Sequence, residues 1–341
     1  MLLPIFKPYI RRADMDSVLS CLISDEIGSG DISKELIIEL GEFLNLTNGY
    51  LFRDYYRAIS IALDLLELKS GSRVLLSPLS PGVYIDVFRD KGIIPIFVDV
   101  DSETALMDHS KLEHQLEKNV DAILLYCPLG NVADLDFYSS LGVPFIEDIS
   151  ENFGSQFNDN KCGSFANITI LSMEPDKILT SGGGSAILVK EKQTFNLLSS
   201  ICKSYSNEIF LSDINASLAL AQLKNIDEIL RKRAELAKIF HSALNKTEHK
   251  TLKTTEGSEV VNFSFPVLLK GSMNEIKAYV MKKNIEPRKA FLRTALDIYD
   301  NKESLCPVAS GLILRTLLFP LYPSLGKKNA EMISKVISTL P

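Results

Sequence analysis

Between about residues 50 and 200 the chain alternates short apolar runs with amphipathic stretches, and no other property of the sequence narrows its fold as far. Apolar runs of strand length stand at 73–77, 93–100, 122–126, 143–147, 168–172 and 185–190. Stretches of helical character lie between them, at 54–68, 109–118 and 135–141. Strands that each return through a helix pair in parallel, so the rhythm predicts an α/β fold with a mainly parallel sheet. In such sheets ligands meet the loops that leave the C-terminal ends of the strands.

After residue 212 the rhythm changes. Residues 212–245 read as one long helical stretch, with Ile214, Leu218, Ala221, Ile226 and Ile229 near helical spacing. Beyond it, 260–265 alternates like a half-buried strand, 274–283 reads as a helix, and 317–322 leads into a C-terminal helix. The expected organisation is a large α/β domain over 1–230 and a smaller α+β domain over 231–341.

A chain of 341 residues with 46% hydrophobic content can bury a full core. Its net charge of −6 and isoelectric point near 5.4 offer no basic footprint for nucleic acid or an anionic bilayer. No apolar run reaches membrane-spanning length and the first residues do not form a signal peptide, so a cytoplasmic location is expected. Five scattered cysteines fit reduced thiols, and four histidines in charged, surface-like surroundings argue against a metal site.

Two charged groups follow predicted strand ends. Glu147-Asp148 closes the 143–147 run, and Lys177 lies in the loop Ser172-Met-Glu-Pro-Asp-Lys177-Ile-Leu-Thr-Ser-Gly-Gly-Gly184. A lysine amine for a Schiff base and a carboxylate that keeps a pyridine nitrogen protonated are the two groups that pyridoxal 5'-phosphate (PLP) chemistry needs.

Further segments carry a resemblance. They are Gly92-Ile-Ile-Pro-Ile-Phe-Val-Asp-Val-Asp101, Leu129-Gly-Asn131 with Asp134 and Asp136, Ile146-Glu-Asp148 with Gly154, Leu218-Ala-Leu-Ala-Gln-Leu223 and Leu318-Phe-Pro-Leu-Tyr-Pro323. Nearly end to end, the chain resembles the DegT/StrS family of PLP-dependent sugar aminotransferases. The resemblance implies an aspartate aminotransferase-like large domain. It also implies transfer of an amino group, with glutamate as donor, to a keto sugar that is nucleotide-linked, at a site shared across a homodimer. Lys177 then forms the Schiff base and moves the proton, Asp148 pairs with the pyridinium, and Ser172 takes the phosphate-contacting position. Glu151 stands where the family has glutamine or histidine beside the ring. The bland alternatives are a loop lysine, a helix cap, a strand-end serine and a solvated carboxylate.

The same resemblance exposes departures at the phosphate end. The family's Ser-Gly-Thr helix start is Asp54-Tyr55-Tyr56 here, which puts a carboxylate where an anion should bind and leaves Tyr55 and Tyr56 as replacement cofactor contacts. The ring-stacking aromatic aligns with Pro81, near Tyr84, and the family's Gly-Tyr-Asn-Tyr-Arg with Ser206-Asn-Glu-Ile-Phe210. Three readings follow: a sugar aminotransferase, a non-catalytic relative or partner subunit, and another PLP enzyme such as a sugar dehydratase. Lys177 disfavours the last, because the dehydratases of this family carry histidine there.

Overall fold

The computed structural model describes residues 2–46, 48–299 and 306–341. In chain order its elements begin with α1 (Arg12–Ile23), α2 (Asp31–Leu44), β1 (Asn48–Phe52), α3 (Tyr55–Leu65), β2 (Arg73–Leu76), α4 (Val83–Lys91) and β3 (Ile94–Phe97). They continue through α5 (His109–Leu116), β4 (Ala122–Tyr126), α6 (Leu135–Ser140), β5 (Phe145–Asp148), the short β6 (Gln156–Phe157) and β7 (Asn160–Lys161), β8 (Ile168–Ser172), β9 (Ser185–Val189) and α7 (Lys192–Lys203). The remainder is α8 (Asp213–Leu223), α9 (Ile226–Leu244), β10 (Ser258–Glu259), β11 (Phe265–Leu268), α10 (Met273–Lys282), β12 (Arg288–Lys289), α11 (Ala295–Ile298), α12 (Pro307–Arg315), β13 (Thr316–Phe319) and α13 (Gly326–Ile337).

Seven strands form the main sheet in the order β1-β9-β8-β5-β4-β2-β3. The five from β8 to β3 are parallel, as the βαβ rhythm predicts, while β9 runs antiparallel to them and the edge strand β1, antiparallel to β9, runs in their direction again. Along β4, Ile123 and Leu125 enter one apolar cluster and Ala122, Leu124 and Tyr126 the other, so the sheet is covered on both faces. Edge strand β1 has no counterpart among the predicted strands. Its Gly49 is required where it stands, because a Cβ there would run into the Ile187 carbonyl of β9.

Two expectations need correction. The helical stretch over 212–245 is two helices, broken between Leu223 and Ile226, and position 230 falls inside the second. Residues 260–264 are not a strand. Asn262 takes a left-handed φ of 51°, and the Phe263 carbonyl accepts from Arg233 Nη1 at 2.9 Å rather than from a neighbouring strand. The same guanidinium nitrogen donates to the Leu321 carbonyl at 3.0 Å, tying α9 to both segments. The strand begins at Phe265 and joins β13 and β12 in a three-stranded antiparallel sheet, packed with α9, α10 and α13 around its own core.

All five cysteines are buried and free. His249, expected on a surface, is buried and takes the Lys270 N–H on Nδ1 at 3.2 Å. Among the described residues no helix is long and apolar enough to cross a membrane.

Candidate active site

Parallel packing on both sides buries every residue of β5, so the two carboxylates at its C-terminal end lie where only hydrogen bonds can hold them. Glu147 accepts from the backbone amides of Gly163 (2.6 Å), Phe165 (3.3 Å) and Ala166 (3.4 Å), and burial pushes its carboxyl up to about 7. It staples the loop before β8. Asp148 is held on both oxygens. Its Oδ1 accepts from the Ser150 amide at 2.9 Å and the Ser150 hydroxyl at 2.5 Å, and its Oδ2 accepts from the hydroxyls of Tyr55 and Tyr84. Those two hydroxyls lie 3.1 Å from each other. Burial raises the Asp148 carboxyl above its ordinary value, against the lowering pull of Ser150 and the two phenols. Burial also lifts both phenols well above theirs, so they remain protonated donors.

Tyr55 opens α3, and Asp54 before it caps the helix by accepting the Arg57 amide at 2.6 Å. That capping occupies the end of the helix where the resemblance places a phosphate. Tyr56, one residue on, turns away and donates to Asp90 on α4. Successive helical residues point about 100° apart, so only one of this pair can face Asp148. Tyr84, wholly buried on α4, completes the group.

Lys177 follows β8. Its ammonium lies 3.5 Å from Glu151 Oε1, 3.5 Å from Asp176 Oδ2 and 5.3 Å above the Phe263 ring. Burial lowers its pKa, but Glu151, Asp176 and Asp148 outweigh that and leave it raised, so the amine is charged. Glu151 in turn accepts the Leu129 amide at 2.7 Å and the Tyr126 hydroxyl, with burial raising its carboxyl against the pull of Lys177. Lys177, Glu151 and Tyr126 line a cavity of about 200 Å³ together with Phe263, Arg288 and Arg293. Beside Asp148, the Ser172 amide donates to the Ser150 hydroxyl at 2.8 Å, while the Ser172 hydroxyl is buried without a partner.

Of the residues singled out in the sequence, Asp148, Tyr55 and Ser172 meet at one end of the site, and Lys177 and Glu151 at the other. Tyr56 joins neither. Ser150, Tyr126, Arg288 and Arg293 were not singled out. Ser150 carried the one local signal, as a hydroxyl two residues after an aspartate that its own amide can reach. The two arginines are distant in sequence and only the small sheet brings them near.

A model of the DegT/DnrJ/EryC1/StrS aminotransferase family matches residues 8–339. GDP-perosamine synthase of Escherichia coli O157:H7 is 24% identical over 98% of this chain and 98% of its own length. The dTDP-4-amino-4,6-dideoxy-D-glucose transaminase of Shigella dysenteriae is 24% identical over 92% and 90%. Among solved structures, the aminotransferase TlmJ from Streptoalloteichus hindustanus superposes with a TM-score of 0.91 at 19% identity, covering 99% of this chain and 98% of that one. The sugar aminotransferase CalS13 from Micromonospora echinospora gives 0.87 at 18%, covering 99% and 100%.

Proposed function

Because the chain belongs to the DegT/DnrJ/EryC1/StrS aminotransferase family, whose aminotransferases are PLP-dependent enzymes, we propose that it transfers an amino group to a nucleotide-linked keto sugar. The setting is surface polysaccharide or amino-sugar biosynthesis in the cytoplasm, with glutamate as donor and a homodimer as the working form. One observation carries the reading: a partly buried lysine ammonium, paired with a carboxylate, lines a cavity at the C-terminal edge of parallel strands. Lys177 is the residue for cofactor attachment, with Glu151 and Tyr126 beside it, and Arg288 and Arg293 suit a substrate that carries phosphate. Residues 1–230 hold the cofactor in this reading, and 231–341 close the substrate side.

As they stand, the residues around Asp148 do not fit the cofactor in the family's position. A pyridinium nitrogen needs a free carboxylate oxygen, and both oxygens of Asp148 are engaged. A phosphate needs free amides at a helix start, and Asp54 caps the first turn of α3. Beside Asp148 the Ser172 hydroxyl is buried without a partner, as is the Ser80 hydroxyl in the cavity wall. This engagement favours a second reading, a non-catalytic relative or partner subunit.

The test incubates the chain with PLP, glutamate and a panel of nucleotide-linked keto sugars. Release of 2-oxoglutarate and a borohydride-fixed pyridoxyl group on Lys177, both lost in Lys177→Ala, are the expected outcome. A chain that gives neither product with any sugar is the non-catalytic relative.

A further inference from the structure

Tyr55 stands in an unusual place for a phenol. Its backbone is the first turn of α3, where the resemblance puts phosphate, and its hydroxyl ends on Asp148, where it puts the ring nitrogen. Between those two points lies one six-membered aromatic ring with a polar atom at its far end, which is the shape of the cofactor's own ring. Tyr84 donates to the same oxygen and its hydroxyl lies 3.1 Å from that of Tyr55, so the phenol is held in place. The surroundings are otherwise those of a polar ligand: the Ser172 hydroxyl has no partner, although leaving a buried hydroxyl unpaired is unfavourable.

We propose that Tyr55, backed by Tyr84, is a built-in occupant of the cofactor position, and that PLP binds only in competition with its phenol for Asp148. The proposal rests on the assignment of Asp148 and α3 to that position, and it extends the assignment to a control on cofactor loading. A chain built this way folds around a satisfied carboxylate without cofactor. Cofactor enters when the Tyr55 side chain withdraws from Asp148.

The experiment titrates wild type, Tyr55→Ala and Tyr55→Phe with pyridoxamine 5'-phosphate by calorimetry, with circular dichroism and melting curves confirming that each is folded. This probe carries the ring and phosphate but forms no bond to Lys177, so its affinity reports the pocket alone. Tyr55→Ala is expected to bind at least about tenfold more tightly than wild type, and Tyr55→Phe at least about threefold, since it loses the competing hydroxyl and keeps the ring. Tyr55→Phe preserves the packing and carries the test if Tyr55→Ala does not fold. Equal or weaker binding by folded variants overturns the proposal, as does an absence of binding in every form. Tightening in Tyr55→Ala alone assigns the block to ring volume and overturns the role given to the hydroxyl. A variant that gains cofactor yet aminates no keto sugar overturns the proposed reaction and leaves the competition standing.

Discussion

Replacing Tyr55 and Tyr84 by phenylalanine, singly and together, isolates the two hydroxyls on Asp148 Oδ2 and leaves both rings packed. A hydrogen bond to a charged group contributes about 1.5–3 kcal/mol, so each single change should cost about 2 kcal/mol. After either one, the other phenol still holds Oδ2; after both, that oxygen is buried with no donor, while Ser150 continues to hold Oδ1. The double variant should therefore lose more than the sum, about 5 kcal/mol with a coupling of about 1 kcal/mol. The pH dependence has a definite sign. The folded carboxyl of Asp148 is already raised, so the stability it contributes is present at low pH and falls as pH rises through the folded value. The phenols pull that value down; removing them raises it, and the loss at pH 8 should exceed the loss at pH 5. Urea unfolding of the four proteins without cofactor at both pH values measures this, provided the slopes agree. A double variant that loses under about 2 kcal/mol, or loses more at pH 5, would refute the account of Asp148 as a carboxylate held by phenols.

Glu147, raised by burial from 4.5 to about 7, should withdraw stability on the order of 3 kcal/mol as pH rises between those values, and Glu147→Gln should flatten that slope. Identical urea midpoints against pH in both proteins would contradict this. Tyr56→Phe loses only an exposed contact to Asp90, so stability should change by less than about 1 kcal/mol and PLP affinity by less than about twofold. A larger fall in affinity would return Tyr56 to the cofactor position.

The central sheet was legible because buried parallel strands are continuous apolar runs: β4 and β8 match their predicted bounds, and the others differ by a few residues at their ends. Strand β1 was not, since Asn48-Gly49-Tyr50 carries turn-forming residues and is recruited to the sheet only by β9. Residues 260–264 alternate correctly for a strand, yet Asn262 and the buried Arg233 take the backbone elsewhere, a competition between distant segments that periodicity does not register. In the site, Asp148 and Lys177 could be singled out because each follows a strand end. The sequence also marked 54–56 as altered. What it did not contain was direction: Tyr55 and Tyr56 look equivalent as neighbours, and only the orientation of α3 against β5 decides which phenol reaches Asp148.

Phe263 has its carbonyl pinned by Arg233 and its ring beneath the Lys177 ammonium. It stands in the stretch between α9 and the small sheet, so the surroundings of the lysine are assembled from two ends of the chain that meet only when both are folded. One wall of the cavity comes from the loops after β2, β4, β5 and β8, and the other from Phe263, Arg288 and Arg293. The two walls are separate pieces of sequence and can diverge independently. Exchanging the second wall between relatives would reshape the mouth of the cavity while leaving Asp148, Ser150 and Ser172 where they are, which makes the C-terminal third the natural place to graft a new substrate preference.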